Sequence, residues 1–250
     1  MQRHRFYAAP AAFLSGRVVL DADESHHLTR VLRLAEGARV FVFDGEGREF
    51  TADVSLAHRH AAELAVVAEL DHQTESPLRL TLAQALVKGD KFDLVVQKAV
   101  ELGVSCVTPL LTEHSDIRIS EGKPDERLEQ RLARWRRIAL EAVKQCGRRR
   151  MVTITAPLGF PAFCAATAGD ASLLMSEHGG LTLRAAAKKL GRPERVSVLV
   201  AAEGGWSAEE LRLADTHGLT PVSLGPRILR TETAAITAVA LAQHIFGDMA

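Results

Sequence analysis

Along roughly the first seventy residues, apolar and polar positions alternate in short runs: Arg17 to Leu20, Arg39 to Asp44, Glu49 to Leu56 and Ala62 to Val67. A period of two puts successive side chains on opposite faces, so these runs predict half-buried strands of a small antiparallel barrel or sheet. Asp44-Gly45-Glu46-Gly47 lies between two of them and suits a tight hairpin, because glycine tolerates positive φ. A helical pattern from Ser25 to Leu34 interrupts the strands, with Ser25 as its expected N-cap and Gly37 beyond its end.

From Pro77 the rhythm changes to short apolar runs alternating with longer amphipathic ones, which predicts a parallel α/β sheet with helices on its faces. The expected strands are Leu78 to Ala83, Cys106 to Leu111, Val152 to Thr155, Ala171 to Met175, Val196 to Ala201 and Pro221 to Leu224. Helices are expected at Phe92 to Leu102, Glu126 to Gln145, Leu181 to Leu190, Ala208 to His217 and Glu232 to Phe246. Asp71 to Pro77 reads as a linker, giving a domain of residues 1–72 and another of residues 77–250.

In open α/β sheets, ligands bind at the carboxyl ends of the strands, so the turns after strands are the candidate sites. In Ala201-Ala202-Glu203-Gly204-Gly205-Trp206-Ser207, two glycines let backbone approach a ligand, and Ser207 with Glu210 forms a capping-box pattern. The loop Leu224-Gly225-Pro226-Arg227-Ile228-Leu229-Arg230 precedes the last helix, with Thr231 as its expected cap. Its apolar Ile228-Leu229 between two arginines is unusual for a purely structural turn and suits the wall of an apolar, adenine-like ligand site. The chain has no GxGxxG fingerprint, Walker A loop or GxSxG elbow.

Charge refines this picture. Lys and Arg total 31, as do Asp and Glu, which excludes a uniformly basic nucleic-acid coat protein or an acidic tail. The balance is local, however. Arg127 to Arg150 holds nine basic residues against two acids and reads as a phosphate-contacting surface, whereas residues 1–75 hold eight basic against twelve acidic residues. No run approaches the roughly 18 apolar residues of a membrane span. Three distant cysteines without CxxC spacing predict neither disulfides nor a metal site, and a reducing cytoplasm is the expected compartment.

The segment Leu224 to Ala234 resembles the closing motif of the RsmE-type small-subunit ribosomal RNA uracil-N3 methyltransferases of the SPOUT superfamily. Further segments fall in the family's order: Arg5-Phe6-Tyr7, His27-Leu28 with Val31-Leu32-Arg33, Lys88 to Lys91, Lys98 with Glu101 to Val104 and Pro109, Arg134-Trp135, and Glu141-Ala142 with Gln145 to Arg148. The resemblance implies a PUA-like RNA-binding barrel and a SPOUT domain whose end threads a deep trefoil knot. It also implies S-adenosylmethionine as cofactor, 16S ribosomal RNA in the small subunit as partner, and a homodimer.

The cofactor would lie among three loops of this chain: Met175, Ser176 and Glu177; Ala201, Gly204 and Gly205; and Leu224, Gly225, Ile228 and Leu229. Arg230 is the expected stabiliser of negative charge on uracil, and Glu203 the expected base or orienter. Arg5, His27, Arg30, Arg33, Lys88 and Lys91 are the expected RNA contacts. The sequence departs from the family's pattern at Ala201-Ala202, where Gly-Pro is usual, and at His114, Lys144 and Val152. The alternative is a non-catalytic RNA-binding or ribosome-assembly protein.

Overall fold

The structure, a computed structural model, describes residues 4–115, 126–167 and 170–249. The chain divides into two units, Met1–Glu75 with Val143–Met151, and Ser76–Ala142 with Val152–Ala250. The first therefore includes a short segment from within the region expected to be the second domain.

In the first unit the elements are β1 (Arg5–Tyr7), β2 (Phe13–Leu14), β3 (Arg17–Val19), α1 (Ala22–His26), β4 (Arg39–Phe43), β5 (Glu49–Leu56) and β6 (Glu63–Glu69). They form one sheet in the order β1-β4-β5-β6-β3-β2. Alternation decides its inner face: Val40 and Val42 of β4, Ala52 and Val54 of β5 and Leu64 of β6 are buried together with Phe6, Val18, Leu20 and Leu28. The sheet is mixed rather than antiparallel throughout, because β1 pairs parallel to β4, Phe6 opposite Val42. Three residues are too few for periodicity to reveal, so β1 escaped the sequence pattern.

The helix begins earlier than expected. Asp21, not Ser25, is its N-cap, accepting the backbone N–H of Glu24 at 2.8 Å. Ser25 is instead buried: its Oγ donates to the Leu20 carbonyl at 3.2 Å and accepts the N–H of Ala62 at 2.9 Å. After His26 the chain widens into a π-helical turn over His27–Val31, and Arg33 leaves it at φ +54°. The Asp44 loop joins β4 to β5 as expected, with Gly45 and Gly47 at positive φ and Asp44 accepting the N–H groups of Glu46 and Arg48.

The second unit contains β7 (Arg79–Ala85), α2 (Lys91–Glu101), β8 (Cys106–Leu111), α3 (Glu126–Cys146), β9 (Thr153–Ile154), β10 (Leu158–Gly159) and α4 (Phe160–Ala166). It continues with β11 (Ala171–Met175), β12 (Leu181–Thr182), α5 (Leu183–Leu190), β13 (Arg195–Val200), α6 (Ala208–Thr216), β14 (Thr220–Ser223) and α7 (Thr231–Phe246). The final residues of α3 fall within the first unit. The sheet order is β10-β8-β7-β13-β11-β14-β12, with β9 also on β8, and every pairing is parallel. Its central strands are mostly apolar because both faces are covered, with Gln84, Ser172 and Ser197 as buried polar exceptions. Helices α4 and α6 bury Ala83, Leu110, Leu174 and Leu199, while α7 packs on β7 and β13 beside α2 and α5. This order makes β13, β11 and β14 neighbours, so the turns that follow them open at one edge.

Candidate cofactor pocket

A cavity of about 880 Å³ opens at the carboxyl ends of β11, β13 and β14. That lies within the range of small-molecule sites. All ten expected cofactor residues line it, as do Arg230 and Glu203, and Lys91 forms part of the same wall.

Each turn is held by its own sequence. After β11, the Ser176 N–H donates to the Val222 carbonyl at 2.9 Å, and the N–H of His178 reaches back to Ser176 Oγ at 3.3 Å. The chain then passes β14 so closely that a Cβ on Gly180 would lie 2.9 Å from the Pro221 carbonyl oxygen. After β13, Gly205 turns at φ +70°, and a Cβ on Gly204 would lie 2.7 Å from Cβ of His114. The expected capping box is present: Ser207 Oγ accepts the N–H of Glu210 at 3.2 Å, and Glu210 Oε2 accepts that of Ser207 at 2.9 Å. Glu210 Oε1 also accepts the N–H of Glu113 at 2.9 Å, tying the turn after β8 to this one.

Thr231 is not the cap of α7. Arg230 occupies that position without a side-chain capping bond, and Thr231 begins the helix. The Thr231 hydroxyl donates to the Ala201 carbonyl at 2.6 Å and accepts from Gln84 Nε2 at 3.0 Å, so it joins three strand ends and helix starts beneath the pocket. Trp206 does similar work, donating Nε1–H to the Met175 carbonyl at 2.8 Å while its ring packs on Phe160. Sequence reasoning gave neither Trp206 nor Gln84 a role. Both bonds join positions far apart in the chain, and no local pattern encodes them.

The pocket wall combines apolar Val200, Leu224 and Leu229 with glycine backbone and five charged groups, Lys91, Glu177, Glu203, Arg227 and Arg230. Ile228 stands 75 % exposed at its rim. Lys91, expected to contact RNA, is ion-paired with Glu203. The hydrogen bond that Lys91 donates to Glu203 raises the Lys91 pKa above its ordinary value; Glu232 adds to this and Arg230 opposes it. Lys91 opens α2 directly after β7, so the strand-end rule that found the other turns would have found it too.

Among the other expected RNA contacts, Arg30 and Arg33 are exposed on the first unit, His27 is half-buried edge-on to Phe6, and Lys88 is exposed on the second unit. Arg5 is not available to RNA. It is 8 % exposed, its Nε donates to Glu49 at 2.6 Å, and its terminal nitrogens donate to the carbonyls of Val143, Lys144 and Arg148 at 2.8–2.9 Å. The basic stretch also divides. Lys144, Arg148 and Arg149 are buried, Lys144 against Glu24 at 2.7 Å, Arg148 against Glu75 at 2.8 Å and Arg149 3.5 Å from Glu49. Arg127, Arg131, Arg134, Arg136, Arg137 and Arg150 remain at the surface, and Arg134 there pairs with Asp90 and Asp93. The expected linker is likewise anchored, since Glu75 accepts the N–H groups of Arg149 and Arg150.

Among the described residues, no His, Cys, Asp or Glu cluster is arranged for a metal, and no helix is long and apolar enough to cross a membrane. The three cysteines are free; burial pushes the Cys164 thiol up to about 11.

The sequence and the fold are both similar to those of known proteins. Residues 74–243 match the RNA methyltransferase domain family, and residues 20–67 match the RNA methyltransferase PUA domain. The ribosomal RNA small subunit methyltransferase E of Synechocystis sp. is 37% identical over 241 residues, covering 95% of this chain and 76% of its own. The crystal structure of the ribosomal RNA small subunit methyltransferase E of Neisseria gonorrhoeae bound to S-adenosylmethionine superposes with a TM-score of 0.89 at 32% identity, covering 100% of both chains. A Legionella pneumophila protein solved with bound S-adenosylmethionine gives 0.90 at 34%, covering 99% of this chain and 100% of its own.

Proposed function

The chain belongs to the ribosomal RNA small subunit methyltransferase E family, and from that premise we propose that it methylates N3 of a specific uridine in 16S ribosomal RNA, acting on assembled 30S particles. Membership makes it an S-adenosylmethionine-dependent RNA methyltransferase. The observation that carries the finer reading is the convergence of Arg230 and Glu203 with all ten cofactor residues on one cavity.

The residues present suit the cofactor: an apolar wall for adenine, glycine backbone for close approach, and a volume suited to a nucleoside-sized molecule. Bound there, S-adenosylmethionine supplies an electrophilic methyl group. The protein's task is then to align N3 with that methyl and to deal with the N3 proton. Arg230 stabilises the negative charge that spreads onto the uracil oxygens, and Glu203 accepts the proton. Because N3 lies on the pairing edge, the target uridine must be unpaired or extruded, which favours a folded ribosomal particle over a short duplex. Arg30, Arg33, His27 and Lys88 are the proposed RNA contacts.

The proposal extends to a cytoplasmic homodimer and to a knotted chain end. Helix α7 supports the dimer: it lacks a continuous polar stripe, and Leu241 on it is exposed, as is Ile228 in the loop before it. Sedimentation equilibrium tests this part, with a monomeric mass overturning it. The decisive assay is transfer of labelled methyl to 30S particles, followed by nucleoside mass spectrometry. N3-methyluridine is the expected product; RNA binding without transfer would favour the assembly-protein alternative.

A further inference from the structure

An ion pair stands in the pocket wall. Lys91 comes from the first turn of α2 and Glu203 from the turn after β13, so residues 112 apart are brought together at the cavity wall. Both side chains remain open to solvent, 37 % and 58 % exposed. An exposed pair of this kind contributes little to stability, which leaves its place in the cavity to be explained.

Three features limit what the pair does. Lys91 is not a base, since its partner carboxylate raises its affinity for its proton. Arg230 lines the same wall and opposes the charge on Lys91, so two cations converge where Glu203 supplies the anion. Glu203 engages Lys91 through Oε1, and among the described residues no partner is assigned to Oε2.

We propose that Lys91 is a catalytic residue that hands its counter-charge from Glu203 to the uracil ring during deprotonation. This rests on the N3-methylation reading. In the resting site the ammonium faces the Glu203 carboxylate. As uracil enters, the N3–H bond breaks and its proton passes to Glu203, which becomes neutral, while the electron pair stays on the uracil as an anion spread over N3 and its flanking oxygens. Lys91, still protonated, now faces that anion with Arg230. The N3 lone pair then forms the bond to the methyl carbon, and the carbon–sulfur bond breaks with its pair remaining on sulfur. The methylated base is neutral, Glu203 releases its proton to water, and Lys91 returns to it. Until the methyl is transferred Lys91 always faces an anion, first Glu203 and then the uracil, and preorganised charge of this kind is where enzymes gain most over water.

The other charged groups around the cavity are Glu177, His178 and Arg227 on its wall and Glu232 near Lys91. None of them is ion-paired to Lys91, so they stand as a constant background to its removal.

The test is Lys91→Met, Lys91→Arg, Glu203→Gln and the Lys91→Met/Glu203→Gln double variant, assayed on 30S particles with S-adenosylmethionine affinity measured by calorimetry. Lys91→Met is expected to lower kcat about 100-fold, the scale for one charge-stabilising donor, with cofactor affinity unchanged. Its residual rate should rise more steeply with pH than that of the wild type, because hydroxide then supplies the driving force for N3 deprotonation. Lys91→Arg should recover part of the loss, and the double variant should be no slower than the worse single one, as residues acting as a unit are not additive. A wild-type kcat in Lys91→Met, or a rise in the KM for particles alone, overturns the proposal; the second result would make Lys91 a phosphate contact. If the wild-type enzyme itself makes no N3-methyluridine, the underlying function has failed instead.

Discussion

Two sets of ion pairs, one in each unit, stand in opposite surroundings. In the first, Arg5–Glu49, Lys144–Glu24 and Arg148–Glu75 are buried, and Arg5 makes four hydrogen bonds to one carboxylate and three carbonyls. In the second, Lys91–Glu203 is a single exposed pair beside a cavity. Buried charges must keep their partners, because water is not there to replace them. An exposed pair can separate cheaply and reform around a ligand. The first arrangement therefore reads as architecture and the second as chemistry.

Removing one partner of a buried pair is the harshest test of that contrast. Arg5→Ala takes from buried Glu49 its 2.6 Å partner, leaving only Arg149 and His72 at 3.5 Å, and uncaps the carbonyls at the end of α3; it should cost about 3–5 kcal/mol in urea unfolding followed at both tryptophan and far-ultraviolet signals. A loss below about 1 kcal/mol would place Arg5 with the surface charges after all.

Arg5 also shows where sequence legibility ends. Strands such as Cys106–Leu111, Glu49–Leu56 and Ala171–Met175 were legible because burial on one or both faces writes itself into consecutive residues. The three pocket turns were legible because ligand sites follow strand ends in such sheets. The fate of a single arginine depends on which distant carbonyls it meets, and that is not a local property. The basic run from Arg127 to Arg150 misled for the same reason, since the carboxylates that bury its last members lie in residues 24, 49 and 75. The short elements β1, β2, β10, β12 and α4 left no periodic signal to find. Asp21 was overlooked as a cap because Ser25 offered the same chemistry one turn later.

Asp44 offers a smaller, pH-dependent probe of the first unit. Burial pushes its carboxyl upward, but hydrogen bonds from Arg48 and from the N–H groups of Glu46 and Arg48 outweigh this and hold it below the ordinary carboxylate range. A depressed folded pKa stabilises the fold above the unfolded pKa, about 4, and that contribution is lost as pH falls through the folded value. Asp44→Ala should cost about 2 kcal/mol at neutral pH by orphaning its donors. The gap from wild type should narrow below about pH 4; a gap that widens there would reverse the assignment.

Ser207→Ala moves the comparison to the pocket. It removes half of the capping box that frames the Gly204-Gly205 turn and should cost about 1 kcal/mol of stability. Because Glu210 also ties down the turn after β8, calorimetry should record a several-fold weaker response to S-adenosylmethionine. Unchanged affinity would mean that the turn keeps its shape without the cap.

The smallest expected effect on stability separates the two kinds of charge most sharply. Lys91→Met removes a cation as surely as Arg5→Ala does, yet the Glu203 it leaves behind is more than half exposed and water can solvate it. Unfolding free energy should therefore change far less than in Arg5→Ala, and raising the salt concentration should shrink even that difference by screening the exposed pair. If Lys91→Met instead unfolds the protein as readily as Arg5→Ala, the pair holds the pocket walls together, and a loss of methylation in that variant would report on architecture rather than on proton transfer.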